Sequence, residues 1–224
     1  DTLLAMSNLA ISYYAVHRLA DALELREEVL TIRRKLNGPE HTDTLSAQRN
    51  LANVYSAFGR RAEALKLREE LLTIRRKVNG PEHPNTLSAM TTLAGSYSSA
   101  DRYIEALKLL EEVLTLQRKI NGPEHADTLV AQSNLASFYS AHGRRDEEIK
   151  LLEDMLRLRR KVNRPEHADT LSAMTTLANS YSKAHRHLEA RKMREEVLTL
   201  RLKVLGPEHP DTLAAMSEVR RSPS

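Results

Sequence analysis

The sequence predicts an all-α protein, a right-handed α-solenoid (superhelix) of antiparallel helix pairs. Two observations predict it. Pro-Glu-His recurs at Pro39, Pro81, Pro123, Pro165 and Pro207, each step 42 residues, with no insertion or deletion. Periods of this length mark architectures in which one supersecondary unit buries its apolar face only by stacking on its neighbours. Inside each period, two stretches carry apolar residues at helical spacing, separated by short turns rich in helix breakers.

The repeats span 1–42, 43–84, 85–126, 127–168 and 169–210, and a partial sixth helix covers 211–219. The period predicts one solenoid domain over 1–219, followed by a frayed tail at 220–224. Places 2, 3, 5, 9, 10, 13, 18, 27, 30 and 35 hold the same residue in all five copies, as in Thr2, Leu3, Ala5, Leu9, Ala10, Tyr13, Arg18, Glu27, Leu30 and Lys35.

In the second repeat the first helix is expected over about 44–57. Leu45, Ala47, Leu51, Ala52 and Tyr55 share one face. The second helix is expected over about 61–78. Its apolar band, including Ala64, Leu65, Leu71, Leu72, Ile74 and Val78, is wide enough for a helix touched on two sides. Lys66, Glu69, Glu70, Arg75, Arg76 and Lys77 read as its solvated face.

The turns follow backbone rules. His17, Gly59, Asp101, Gly143 and His185 occupy one turn place, and these residue types tolerate positive φ. Gly38, Gly80 and Gly122 read as left-handed helix caps, with Pro blocking continuation. Arg164 replaces Gly at that place in the fourth repeat. A left-handed Arg would cost about 1 kcal/mol, so this joint is expected to be the weakest. Pro84 and Pro210 suit a first helical position.

Composition excludes several classes. Hydrophobic residues make up 41% and charged residues 29%, which suits a folded chain. There is no cysteine, so disulfides, thiolate nucleophiles and Cys-based zinc sites are excluded. No apolar run approaches the roughly 20 residues of a membrane helix, so no membrane partner is expected and the chain reads as cytoplasmic. It begins at Asp1, without Met, which reads as a piece of a longer protein. The excess of 34 basic over 30 acidic residues is too small to imply nucleic acid.

A second stripe on the first helix, at places 4, 7, 8, 11, 14 and 15, is small, polar and nearly uncharged. It supplies the candidate peptide-binding groove: Asn8, Arg49, Asn50, Asn53, Thr91, Thr92, Ser133, Asn134, Ser137, Thr175, Thr176, Asn179 and Lys183. A plain solvent face would carry Lys and Glu, as the second helices do. Small residues let a partner backbone approach, and Asn and Thr can bond its N–H and C=O groups. The opposing reading is that small residues only let first helices pack tightly. Arg49 and Lys183 are the only groove charges expected, so the stripe does not read as a basic clamp for carboxylates.

No catalytic residue, cofactor or metal site is assigned. The five loop histidines, His41, His83, His125, His167 and His209, recur once per repeat, about 10 Å apart if helices pack normally. Metal bonds near 2 Å need closer ligands, so a loop-capping role is expected. Glu40-His41 and its copies recur identically, as structural pairs must and catalytic pairs seldom do. The repeated tyrosines read as core rather than as a platform for bases. No G-x-x-x-x-G-K-[ST] loop occurs.

Leu51-Ala52, Tyr55, Ala64 and Leu71 together resemble the packing places of the tetratricopeptide repeat. The Trp that often opens that motif is replaced by Met6, Gln48, Met90, Gln132 and Met174. The 42-residue period is similar to the longer variant of kinesin light chains and of the repeat tails of fungal NB-ARC or NACHT signalling proteins. The resemblance implies a concave groove, lined by first helices, that holds a protein or peptide. The alternative is end-to-end self-association, because Leu4, Ile11 and Tyr14 occupy places that are mostly polar elsewhere.

Overall fold

The computed structural model describes residues 2–221. Among them are eleven helices and no strand: α1 (Thr2–Ala15), α2 (Leu19–Asn37), α3 (Thr42–Ala57), α4 (Arg61–Asn79), α5 (Pro84–Ser99), α6 (Tyr103–Asn121), α7 (Ala126–Ala141), α8 (Arg145–Val162), α9 (Ala168–Lys183), α10 (His187–Leu205) and α11 (Pro210–Arg220). Arg221 caps α11, and residues 222–224 of the expected tail lie outside the described residues. The chain forms two compact units, residues 1–113 and 114–224.

In the N-terminal unit, α1 to α5 pack consecutively around Ala22, Val29, Leu30, Ala47, Leu51 and Val54, with Tyr13 and Tyr55 at the margin. In the C-terminal unit, α7 to α11 pack around Ile149, Leu152, Met155, Leu156, Met174, Leu177 and Tyr181. Burying each such large apolar side chain contributes about 1.5–3 kcal/mol.

The residues shared by all five repeats hold neighbours together. The Tyr55, Tyr97 and Tyr181 hydroxyls donate to Glu27, Glu69 and Glu153 on the second helix of the preceding repeat, at 2.6, 2.9 and 2.7 Å. An Arg from the following turn lies over each ring, such as Arg102 at 4.2 Å from the Tyr97 centroid. Burial first, and then the Glu bond, pushes Tyr55 and Tyr181 up to about 12. The shared Lys answers the Glu of Pro-Glu-His, as in Lys161 to Glu124 at 3.0 Å. Thr44, Thr86 and Thr128 are sealed, and each donates to a carbonyl near the end of the preceding helix.

His41, His83, His125, His167 and His209 are N-caps. Each Nδ1 accepts a backbone N–H two residues on, at 3.1–3.2 Å. The first helices α3, α5, α7, α9 and α11 are thereby started at the same place of the repeat. Among the described residues no group of three or more His, Asp or Glu side chains could hold a metal ion.

The turn between paired helices is left-handed at all five expected places, with φ of 59°, 84°, 58°, 70° and 59°. The joint between repeats corrects one expectation. Gly80 has φ 82° but ψ 166°, an extended ψ rather than the left-handed helical one. That region is essentially closed to residues with a Cβ. Arg164 therefore does not adopt it. Instead α8 ends one residue early, at Val162, and Asn163 leaves the helix at φ −107°, ψ 157°. The Arg164 joint avoids the strain expected of it by shortening the helix.

Candidate functional site

The polar stripe of the first helices borders concave cells, each built from two successive first helices and the second helix between them. In the C-terminal unit, α7, α8 and α9 enclose a cleft of about 460 Å³. Its walls include Ser133, Ser137 and Ser140 from α7 and Ser172, Thr176, Asn179, Ser180 and Lys183 from α9. Glu148, Leu152, Met155 and Arg159 form its floor on α8.

The same places two repeats earlier lie in the N-terminal unit, between α3, α4 and α5. There the concavity is divided. One depression, about 490 Å³, is lined by Ser56, Arg61, Leu65, Arg68, Thr92, Gly95 and Ser99, among others. The other is a niche of about 20 Å³, lined by Arg49, Arg68, Leu71, Arg75, Ser88, Ala89 and Thr92. Arg68 borders both, and its counterpart in the undivided cleft is Leu152.

Of the residues expected in the groove, Arg49 and Thr92 line the N-terminal cell. Ser133, Ser137, Thr176, Asn179 and Lys183 line the C-terminal one. Asn8, Asn50, Thr91, Asn134 and Thr175 sit on first helices but border neither cell. Asn53 also stands outside the lining, and its Oδ1 accepts from Arg68 Nη2 at 3.1 Å. Asn179 likewise accepts from Arg194 at 3.3 Å.

Many of the hydroxyls are already committed. Thr92, Ser133 and Thr176 donate to the carbonyls of Ser88, Leu129 and Ser172 four residues back, at 2.9–3.0 Å. Their protons are used and their lone pairs remain. These side chains therefore act as acceptors toward a bound segment.

Sequence reasoning missed the charges that the second helices bring in. Arg61, Arg68 and Arg75 join Arg49 around the N-terminal cell, and Glu148 joins Lys183 and Arg159 around the C-terminal one. Arg75 was read as part of a solvated face but is 5% exposed, with Nη1 donating to the Asn85 carbonyl. Burial holds Arg68 and Arg75 below the ordinary arginine value, and the nearby Arg49 adds to the effect at Arg75. Both stay charged, since arginine does not lose its proton in proteins.

Glu148 is 4% exposed at a place that is Ala22, Ala64, Ala106 and Ala190 in the other repeats. Its Oε1 accepts from Ser180 Oγ at 2.7 Å and its Oε2 from Arg145 Nη1 at 2.8 Å. Arg145 Nη1 also reaches Ser140 Oγ at 2.7 Å. The signal that could have found Glu148 is its departure from an otherwise invariant small residue.

One tetratricopeptide-repeat family model matches residues 1–77, 43–118 and 92–161, and a second matches 170–211. The chain belongs to the tetratricopeptide repeat family. Tetratricopeptide folds are typical of protein–protein interaction scaffolds, which are generally not enzymes. A Podosopora anserina protein described as a kinesin light chain with nearly identical TPR-like repeats is 33% identical, with a TM-score of 0.78, over 91% of this chain and 97% of its own. BtubC (BKLC) from P. vanneervenii is 21% identical, with a TM-score of 0.70, over 92% and 81%. The apo quorum sensor NprR from B. thuringiensis is 18% identical, with a TM-score of 0.61, over 98% of this chain and 58% of its own. The last two likenesses concern the fold alone. No curated protein matches the sequence. Among the described residues of this tetratricopeptide protein, no helix is long and apolar enough to cross a membrane.

Proposed function

We propose that the chain is a non-enzymatic scaffold or sensor module that binds a peptide or helix along the stripe of its first helices. The five repeats and the partial sixth, residues 1–219, would act as one array. The observation that carries this reading is the 460 Å³ cleft between α7, α8 and α9, whose α7 and α9 walls are mainly hydroxyl and amide, with Lys183 their one charge. A cleft of that size, polar along its walls and with Leu152 and Met155 in its floor, suits a side chain and its flanking backbone. The reading includes a role like that of NB-ARC or NACHT repeat tails, in which the repeats sense a partner.

The test is a peptide selected by display against the folded chain. Ser137→Arg with Thr176→Arg should weaken its binding by about tenfold or more, a loss of about 1.4 kcal/mol. Lys150→Glu, on exposed surface outside the cleft, should leave binding unchanged. Equal affinity in both variants rejects the groove.

A second reading, end-to-end stacking, is favoured by one observation. Leu4, Leu9, Ile11 and Tyr14 of α1 are 61%, 45%, 56% and 43% exposed, whereas Leu51 and Leu177, at the place of Leu9, are 3% and 1%. Light scattering across concentration tests it: a strict monomer at high concentration removes the reading.

A further inference from the structure

The N-terminal cell holds charge without counter-charge. Elsewhere in this unit five arginines have close carboxylate partners: Arg18 with Asp21, Arg33 with Asp43, Arg60 with Glu63, Arg76 with Glu112 and Arg102 with Glu105, all at 2.7–2.9 Å, whereas Arg26 and Arg61 make no ion pair among the described residues. Arg49, Arg68 and Arg75 have none among the described residues. Arg68 reaches only neutral oxygens, Ser96 Oγ at 2.6 Å and Asn53 Oδ1 at 3.1 Å, and its Nε is buried without a partner. Arg75 reaches only a backbone carbonyl. No acid stands ready on the walls, since α5 carries none and the one acid of α3, Asp43, is paired with Arg33.

These three arginines border the same 20 Å³ niche, with Ser88 on the far wall. The niche has room for one small group, and the larger depression it adjoins through Arg68 and Thr92 can take what that group is attached to. A carboxylate brings one charge and two oxygens. A phosphoryl group brings close to two charges and three terminal oxygens, and so suits three guanidinium forks better.

We propose that this niche binds the phosphoryl group of a phosphoserine or phosphothreonine in the partner polypeptide, held by Arg49, Arg68 and Arg75. The proposal deepens the groove reading and rests on it for the chain that carries the phosphate. The C-terminal cell lacks this capacity. Ser133 and Leu152 replace Arg49 and Arg68 there, and Glu148 adds an acid to the floor.

The test titrates the full chain with N-acetyl-phosphothreonine N-methylamide, its unphosphorylated and glutamate counterparts, and inorganic phosphate, followed by the NMR signals of arginine Nε–H groups. The phosphorylated amide should shift Arg68 and Arg75 and saturate, and the unphosphorylated one should do neither. Arg68→Leu and Arg49→Ser should each weaken binding by about tenfold, the effect of removing a charged hydrogen-bond partner. Both variants carry the residue that occupies the same place in the folded C-terminal cell, so they keep the fold, which circular dichroism checks. Absent binding, binding unchanged in both variants, or equal binding of the glutamate amide overturns the phosphoryl assignment. Inorganic phosphate binding as tightly as the amide overturns the polypeptide source. A display-selected peptide that still depends on Ser137 and Thr176 would keep the groove reading alive when the niche fails. Phosphate bound at the niche with no such dependence would do the reverse.

Discussion

The two cells are built from the same places of the same repeat, two repeats apart, yet one is split and basic and the other is open and carries a buried acid. Two exchanges account for most of the difference. Arg68 divides the N-terminal concavity where Leu152 leaves the C-terminal one continuous. Glu148 replaces an invariant Ala and is held by Arg145 and Ser180. The first place varies between repeats, Arg at Arg26, Arg68 and Arg194 and Leu at Leu110 and Leu152, whereas the second is Ala everywhere but at Glu148. Exchanges at these two places change the charge of a cell without changing the repeat frame.

The Arg164 joint contrasts with the four glycine joints, two in each unit. Gly80→Ala in the N-terminal unit should cost about 3 kcal/mol, because its φ of 82° with extended ψ excludes a Cβ although the space around it is open. Arg164→Gly at the matching C-terminal joint should change stability by less than about 0.5 kcal/mol, since that helix already ends a residue early. Denaturant midpoints measure both, and equal effects would mean the joints are alike after all.

Next comes the buried acid. Arg145→Ala strands the Glu148 carboxylate and should cost about 2 kcal/mol, less than for a fully buried pair because Arg145 is one-third exposed. Glu148→Ala, which restores the residue of the other repeats, should cost under about 1 kcal/mol. The same unfolding measurement decides: a larger loss for Glu148→Ala than for Arg145→Ala would contradict this view of the C-terminal floor.

The sequence made the frame legible and the cells only half legible. Period, helix bounds and the left-handed turn residues could be read directly, because a repeated backbone demand leaves the same residue types at the same place. The caps of the loop histidines were readable for the same reason. The charges of the cells were not. Arg75 lies within a run of charges that looks like solvated surface, and whether a long side chain reaches back over a neighbouring helix depends on packing rather than on periodicity. The Arg164 joint was misread because the glycine there serves an extended ψ and not a left-handed cap, a distinction invisible in residue type.

Where the units should agree, they share the Tyr–Glu–Arg contact. Tyr97→Phe and Tyr181→Phe should each cost about 1 kcal/mol, the net value of one hydrogen bond. Tyr55 and Tyr181 hold their protons to about pH 12 when folded, against an ordinary value of 10.0. Their contribution is therefore complete below pH 10 and is lost as pH rises from 10 toward 12. The unfolding midpoint should fall from pH 8 to pH 11, and Tyr55→Phe and Tyr181→Phe should flatten that fall in their respective units.

The smallest effect belongs to Arg68→Leu, expected within about 0.5 kcal/mol of the parent. It should merge the two N-terminal depressions into one cleft resembling the C-terminal cell, which a crystal structure of the variant would show.

The most direct test of the binding claim is hydrogen exchange with and without a display-selected peptide. Protection should gather on α7 and α9, or on α3 and α5 for a ligand of the N-terminal cell, while the exposed side of α8 around Lys150 and Arg157 stays unchanged. Protection confined to that outer side, or none on any first helix, would contradict the account.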